Sequence, residues 1–334
     1  MIGISSASTS GKAGTRAAGW FAVLAAGLAL AACGGSQVSA VRVASATSRQ
    51  QSGTLRQARA RRSPPYAVAE RVLTFVDRSR LIRLPGRRPE PRRLVTVVRY
   101  PEQAAGSFPL VVFGHGFAVT PAYYFRLLRA WAQAGYVVAA PVFPLGNAHA
   151  PGGPDENDIV NQPRDMSFVI TQLLAASADR RSPLAGLIDP GAIAVSGQSD
   201  GGETALAVAY DRYYRDRRVR AAIILSGAQI PGVGGFDFPA PSPPLLATQG
   251  TADTINQPRF TYRFFGLAPR PKYLLKLLGA GHLAPYTYQQ PQLSIVERVT
   301  IAFLDGYLKS AHYGIARMIA AGKIAGRAEL VVRR

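Results

Sequence analysis

Residues 192–202 read Ala192-Ile193-Ala194-Val195-Ser196-Gly197-Gln198-Ser199-Asp200-Gly201-Gly202. A short apolar run of strand character climbs to a glycine and turns at a serine. It then enters Glu203-Thr204-Ala205-Leu206-Ala207-Val208-Ala209, which has the residue types and apolar spacing of a helix. The turn spells Gly-x-Ser-x-Gly, with Gly197 and Gly201 two positions either side of Ser199. In a strand-to-helix turn that cramped, side chains at the flanking positions collide, so both are glycine. Such a turn holds a serine hydroxyl exposed above a sheet. The helix behind it aims unpaired N–H groups and the positive end of its dipole at charge developing there. A glycine-rich surface turn with an ordinary serine would share the spelling, so the rest of the chain decides.

Outward from this turn, apolar segments of strand and helix length alternate. Val72-Leu73-Thr74-Phe75-Val76 and Leu94-Val95-Thr96-Val97-Val98 predict an antiparallel pair across a Pro/Arg loop. Leu110-Val111-Val112-Phe113 is apolar throughout, as expected of a strand covered on both faces, and runs into Gly114-His115-Gly116-Phe117. A helix with Pro121 near its start carries Tyr124, Leu127, Leu128 and Trp131 on one face and stops at Gly135. A strand follows at 136–140, then a long Pro/Gly/Asn loop, then a helix opened by Pro163. Beyond the serine turn, strands are expected at 221–225, 245–248 and 273–278, with helices near 259–265 and 293–309. Alternation after an antiparallel opening predicts an α/β fold, a mostly parallel sheet of about eight strands with helices on both faces. The link between Leu225 and Leu245 is too short for a large lid domain, and 311–334 reads as a helical C-terminal extension.

In such a sheet ligands bind beyond the carboxyl ends of the strands. Three residues of the right chemistry follow strand ends: Ser199, Asp253 in Gln249-Gly250-Thr251-Ala252-Asp253, and His282 in Gly279-Ala280-Gly281-His282. A nucleophile, an acid and a base in this order form a candidate triad. His115 is the rival base, or else a loop histidine that shapes the backbone. His149 and His312 read as a loop and a tail residue. Asp305 falls on a late helix, Asp211 and Asp216 in an arginine-rich run where solvated pairs are the default, and Asp165 in a first helical turn. Phe117, Phe143 and Phe236 are candidates equally for an acyl pocket and for core anchors.

From about Tyr66 to Lys309, through 66–310 as a domain, the chain resembles the α/β-hydrolases. Its motifs are similar to those of the dienelactone-hydrolase-like, platelet-activating-factor-acetylhydrolase-like and cutinase-like esterases. The resembling pieces are Gly114-His115-Gly116-Phe117, Arg164-Asp165-Met166-Ser167-Phe168-Val169, the serine turn, Gly250-Thr251-Ala252-Asp253-Thr254 and Gly279-Ala280-Gly281-His282-Leu283-Ala284-Pro285. The resemblance implies an oxyanion hole from the backbone N–H groups of Phe117 and Asp200, and chemistry that requires no metal or cofactor. Gln198 stands where many members have histidine, and Asp200 where an apolar residue is usual. The Asp200 carboxylate suits a helix N-terminus but would oppose an oxyanion if it pointed into the pocket.

The N-terminal part reads differently. Residues 1–32 have the form of an export signal, with Lys12 and Arg16 ahead of an apolar Trp20 to Ala32 core too short for a confident membrane span. Leu30-Ala31-Ala32-Cys33 resembles a bacterial lipobox, which implies that Cys33, the single cysteine, becomes the lipidated mature N-terminus. An ordinary cleaved signal is the alternative, giving a secreted protein. Residues 33–65 read as a flexible tether. The formal net charge is +20, and residues 1–62 hold eight of the 39 basic residues and no acidic one. Arginines also cluster at 78–93 and 212–220, but no basic helix interleaved with aromatics appears, which argues against a nucleic-acid binder.

The expectation is a serine carboxylic-ester hydrolase at the outer face of a bacterial cell membrane, held there by a lipid anchor only and acting on small-molecule or lipid esters. Acyl transfer onto an envelope acceptor would use the same triad. A catalytically inactive, lipid-anchored binding protein is the alternative from another class. The sequence is silent on oligomeric state.

Overall fold

The computed structural model describes residues 64–84, 86–102, 106–230, 232–233 and 237–334. The signal-like segment, Cys33 and nearly all of the tether lie outside the described residues. Among the described residues nine strands form one sheet: β1 (Val68–Ile82), β2 (Glu90–Pro101), β3 (Phe108–Gly114), β4 (Val137–Pro141), β5 (Ile188–Gln198), β6 (Val219–Leu225), β7 (Leu245–Gly250), β8 (Lys272–Leu277) and β9 (Ala328–Arg333). Their spatial order is β1-β2-β4-β3-β5-β6-β7-β8-β9. Every neighbour from β4 through β8 is parallel, while β1 and β2 at one edge and β9 at the other are antiparallel.

The helices are α1 (Phe125–Gln133), α2 (Gln162–Ala178), α3 (Asp200–Tyr210), α4 (Pro258–Leu267), α5 (Gln292–Leu308) and α6 (Gly314–Ala321). Side chains alternate across a strand, so a strand apolar at every position feeds two cores. In β3, Val111 and Phe113 pack with Leu127 and Trp131 of α1 and Phe303 of α5. Leu110 and Val112 pack on the other face, with Met166 and Ile170 of α2 and Leu206 of α3. The α/β reading therefore holds, with the expected antiparallel opening.

The nine strands agree with the expected sheet of about eight. One expectation needs correction: 311–334 is only partly helical and is not set apart from the domain. Its first part forms α6, which Arg317 ties to Asp305 of α5 at 2.5 Å. Its last part is β9, paired with β8 from Lys272↔Arg333 to Leu277↔Ala328. Ala328 and Leu330 are buried on alternate positions, the period of a strand.

Part of the arginine-rich hairpin is buried in ion pairs. Arg92 is buried and lies 2.7 Å from Asp158 and 2.6 Å from Asp165, and Arg80 adds a contact of 2.7 Å to Asp165. Burial alone would lower the Arg92 pKa. Hydrogen bonds and charge from the two aspartates overcome it and raise it, so the guanidinium stays ionised. Asp165 is thus a first-turn carboxylate of α2, as expected, and also the anchor between α2 and the β1–β2 hairpin. Arg92→Leu leaves two buried carboxylates without their shared cation, and should cost about 3–5 kcal/mol of unfolding free energy in urea titrations. A loss below about 1 kcal/mol would show that water already solvates the cluster.

Candidate active site

Ser199 sits between β5 and α3 with φ +55° and ψ −123°, a backbone state a non-glycine residue rarely adopts. Its N–H donates to the Leu225 carbonyl at 3.0 Å and its carbonyl accepts the Glu203 N–H at 3.0 Å, so both sides of the turn are clamped. A Cβ at Gly197 would fall on the Gly201 carbonyl, and one at Gly201 on the Gly114 carbonyl, far inside contact distance. Both elbow glycines are therefore demanded by backbone crossing, as the spelling implied. Ser199 itself remains partly exposed.

The loops after β7 and β8 bring the acid and the histidine together. Asp253 Oδ2 lies 2.8 Å from His282 Nδ1. Asp253 Oδ1 accepts the N–H groups of Ile255 at 2.9 Å and Asn256 at 3.0 Å, and Gln249 Nε2 reaches Oδ2 at 3.2 Å. A buried carboxylate with this many donors is fixed in orientation, and through it the ring is fixed too. The Ala252 N–H donates to the Ala280 carbonyl at 2.9 Å, which ties the two loops to each other. His282 is partly exposed. No hydrogen bond links Ser199 Oγ to the imidazole in this structure; such bonds are often long without substrate and tighten when it binds.

The loop after β3 packs directly on the serine. A Cβ at Gly116 would stand 3.3 Å from Ser199 Cβ, 3.2 Å from Tyr124 Oη and 2.9 Å from Gln198 Oε1. Tyr124 Oη accepts the Gly116 N–H at 3.2 Å and donates to Gln198 Oε1 at 2.7 Å, and Gln198 Nε2 donates to the His282 carbonyl at 3.1 Å. One buried chain thus runs from the Gly116 loop beneath the serine to the histidine loop. Tyr124 was legible only as a core residue of a helix face, and its second role depends on contacts far apart in sequence. Phe117 is exposed next to this loop. Asp200 opens α3, so its N–H has no intrahelical partner. The Asp200 N–H therefore follows Ser199 directly, and Gly116, the residue before Phe117, packs on the serine.

His115 is excluded as the base. It is wholly buried, its Nδ1–H donates to the Gly116 carbonyl at 2.8 Å, and its Nε2 accepts the Phe143 N–H at 3.0 Å. Burial, opposed by the bond to the Gly116 carbonyl, holds its pKa down to about 4, so it stays a neutral brace between two loops. Phe143 is likewise a core anchor, tilted against the His115 ring at 4.9 Å, and Phe236 lies outside the described residues. His149 and His312 are exposed. Asp211 is buried rather than solvated, accepting the Tyr213 and Tyr214 N–H groups, while Asp216 pairs with Arg218. Asp305 accepts the Tyr136 hydroxyl at 2.7 Å. Among the described residues no group of three or more His, Cys, Asp or Glu could hold a metal ion.

A parallel sheet with an antiparallel edge, a strained serine turn at a strand end and helices on both faces define an α/β-hydrolase fold. The comparisons with known proteins are consistent with it. A family model described as Chlorophyllase matches residues 78–234. Chlorophyllase-2 of Arabidopsis thaliana is 24% identical over 186 residues, covering 52% of this chain and 55% of that protein. The chain thus spans about half the length of the curated relative it matches. The family match includes Ser199 and the Gly116 loop and ends before Asp253 and His282, so the grouping of those two rests on geometry.

Asp200 is the unusual member of the site. It is buried, and its Oδ2 accepts no hydrogen bond from any described residue. Burial, reinforced by the nearby Glu156 carboxylate and offset by His282, raises its pKa from 3.8 to about 6. The folded protein therefore binds more protons than the unfolded chain between these values, and stability falls as pH rises through that window. Asp200→Asn removes this cost of about 2–3 kcal/mol at neutral pH and not below the ordinary carboxylate range. The variant should melt at a higher temperature than wild type near about pH 8, and the two should converge near about pH 4. A gap of the same size at both would show that the charge of Asp200 is not its source.

Proposed function

We propose that this chain is a serine carboxylic-ester hydrolase that works through an acyl-enzyme. The observation that carries the proposal is the 2.8 Å bond between Asp253 and His282 on the loops beyond β7 and β8, at the same rim as the strained Ser199 turn. His282 takes the Ser199 proton as Oγ attacks the ester carbonyl, and returns it to the departing alcohol. Water then attacks the acyl-enzyme with His282 again as base. Asp253 holds the Nδ1–H tautomer and stabilises the imidazolium. The Phe117 and Asp200 N–H groups receive the oxyanion, and removal of one such donor costs about 3–4 kcal/mol in the transition state.

The relative's name points to chlorophyll for that protein; for this chain the reading stops at a carboxylic ester. Residues 226–244, which join β6 to β7, are too short to hold a lid domain. That favours soluble short- or medium-chain esters turned over without interfacial activation. The location proposed is the outer face of a bacterial cell membrane, through lipidation of Cys33. Hydrolysis is preferred over acyl transfer because no feature of the site singles out an acceptor other than water.

A fluorophosphonate probe should label the wild type and leave Ser199→Ala unlabelled, and Asp253→Asn should lower kcat on p-nitrophenyl esters by about 10⁴-fold. No labelling of the wild type would sink the enzyme reading and leave a binding protein. Incorporation of labelled fatty acid in the bacterial host should disappear in Cys33→Ala; incorporation unchanged there would remove the lipid anchor.

A further inference from the structure

The arginine cluster at 78–93 is only partly consumed by structure. Arg80 and Arg92 are engaged with Asp77, Asp158 and Asp165. Arg87, Arg88 and Arg93 are exposed, and none of them lies within ion-pair distance of a carboxylate among the described residues. All three line one cavity of about 240 Å³ between the β1–β2 hairpin and the segment that follows β4. Glu90 is the one acidic residue in that lining, so the lining is net positive.

Val95, Val142, Pro144 and Leu145 supply an apolar part of the same lining. Val95 is 39% exposed although Leu94 and Thr96 beside it are buried, because β2 turns this side chain into the cavity instead of into a core. Val95 and Val142 are backbone neighbours, the Val142 N–H donating to the Val95 carbonyl at 2.8 Å. A lining that combines apolar side chains with guanidinium groups lacking a carboxylate partner matches a ligand with an alkyl chain and an anionic head.

The position is also informative. β2 runs antiparallel to β4 with Thr96 opposite Pro141, so Val95 and Val142 of the cavity lie at the carboxyl end of β4, the end of the sheet that carries Ser199. Its wall is bonded to the loop beside the serine: the Phe143 N–H meets His115 Nε2 at 3.0 Å, and the Ala118 N–H meets the Gly146 carbonyl at 2.9 Å. We propose that this cavity is a binding site for a single-chain anionic amphiphile. The alkyl chain lies against Val95, Val142 and Leu145, and a carboxylate or phosphate head lies against Arg87, Arg88 and Arg93. The proposal does not depend on ester hydrolysis, because the ligand need not be an ester.

Calorimetric titration of the wild-type chain with hexanoate, octanoate and decanoate, each below its micelle concentration, tests it. Affinity should rise about fourfold per added methylene until the chain fills the cavity. Octyl phosphate should bind as well, and the tighter of the two identifies the preferred head. Octyltrimethylammonium should not bind. Replacing Arg87, Arg88 and Arg93 together by Gln should weaken octanoate about tenfold or more and flatten its salt dependence. Val95→Asp should abolish binding, and since all four positions are exposed, unchanged melting temperatures confirm that the variants fold. Equal binding of the cationic amphiphile, wild-type affinity in the triple variant, absence of binding heat, or binding to phosphatidylglycerol vesicles alone would each overturn the proposal.

Discussion

Where β3 ends, the Gly114 carbonyl passes over Gly201 so closely that a methyl group has no room, and one step away the Gly201 carbonyl does the same to Gly197. This double crossing fixes the distance from β3 and β5 to the first turn of α3. It forces Ser199 into its left-handed backbone state, and the hydrogen bond from its N–H to Leu225 holds it there from the β6 side. The loop carrying Gly116 and Phe117 has nowhere to go except across the serine. Strain at one residue is thus maintained by contacts from three strands, and the hydroxyl is presented without any side chain having to hold it up.

The second half of the site follows from strand order. β7 and β8 lie beside β6 and end at the same rim, so their loops reach the serine turn from one side while the Gly116 loop reaches it from the other. The Gly250 backbone approaches the Ala280 and Gly281 carbonyls so closely that glycine is needed there as well. That contact lets the loop after β7 lie against the loop after β8, and it sets Asp253 on His282. Gln249 binds Asp253 on one side, and its Oε1 lies 2.6 Å from Thr261 Oγ1 of α4 on the other. The acid is therefore positioned by a helix as well as by its own loop.

Legibility in the sequence divides along the range of the interaction. The serine turn, the fully apolar strands and the acid and histidine at strand ends announce themselves within a few residues, since glycine crowding and side-chain alternation are local constraints. Long-range polar contacts leave no such mark. Asp165 reads as a helix-start carboxylate because its partners Arg80 and Arg92 are more than 70 positions away, and Asp211 reads as solvated although it is buried. β9 is hidden in the sequence for a related reason. Its Leu330-Val331-Val332 run is too short to outweigh the helical composition before it, and β8 as a pairing partner is invisible without the fold. The Tyr124–Gln198–His282 chain combines both cases, a core tyrosine and a motif filler that acquire meaning only when the rim assembles.

His115 and Asp200 show how the site tolerates buried titratable groups. Both are buried close to the serine, and burial acts on each by disfavouring its charged form, which moves the two pKa values in opposite directions. His115 stays neutral because burial outweighs the opposing bond to the Gly116 carbonyl, so its stabilising effect is present above the ordinary histidine range and is lost as pH falls towards 4. Asp200 has no such partner for Oδ2, and its destabilising effect grows as pH rises towards 6. The two slopes oppose each other over much of the same acidic window, so the site's net stability changes less with pH there than either residue alone would dictate. A carboxylate kept without a partner beside the nucleophile is a standing cost to the fold, and its position at the start of α3, facing Glu156 and His282, places that cost at the chemistry rather than in the core.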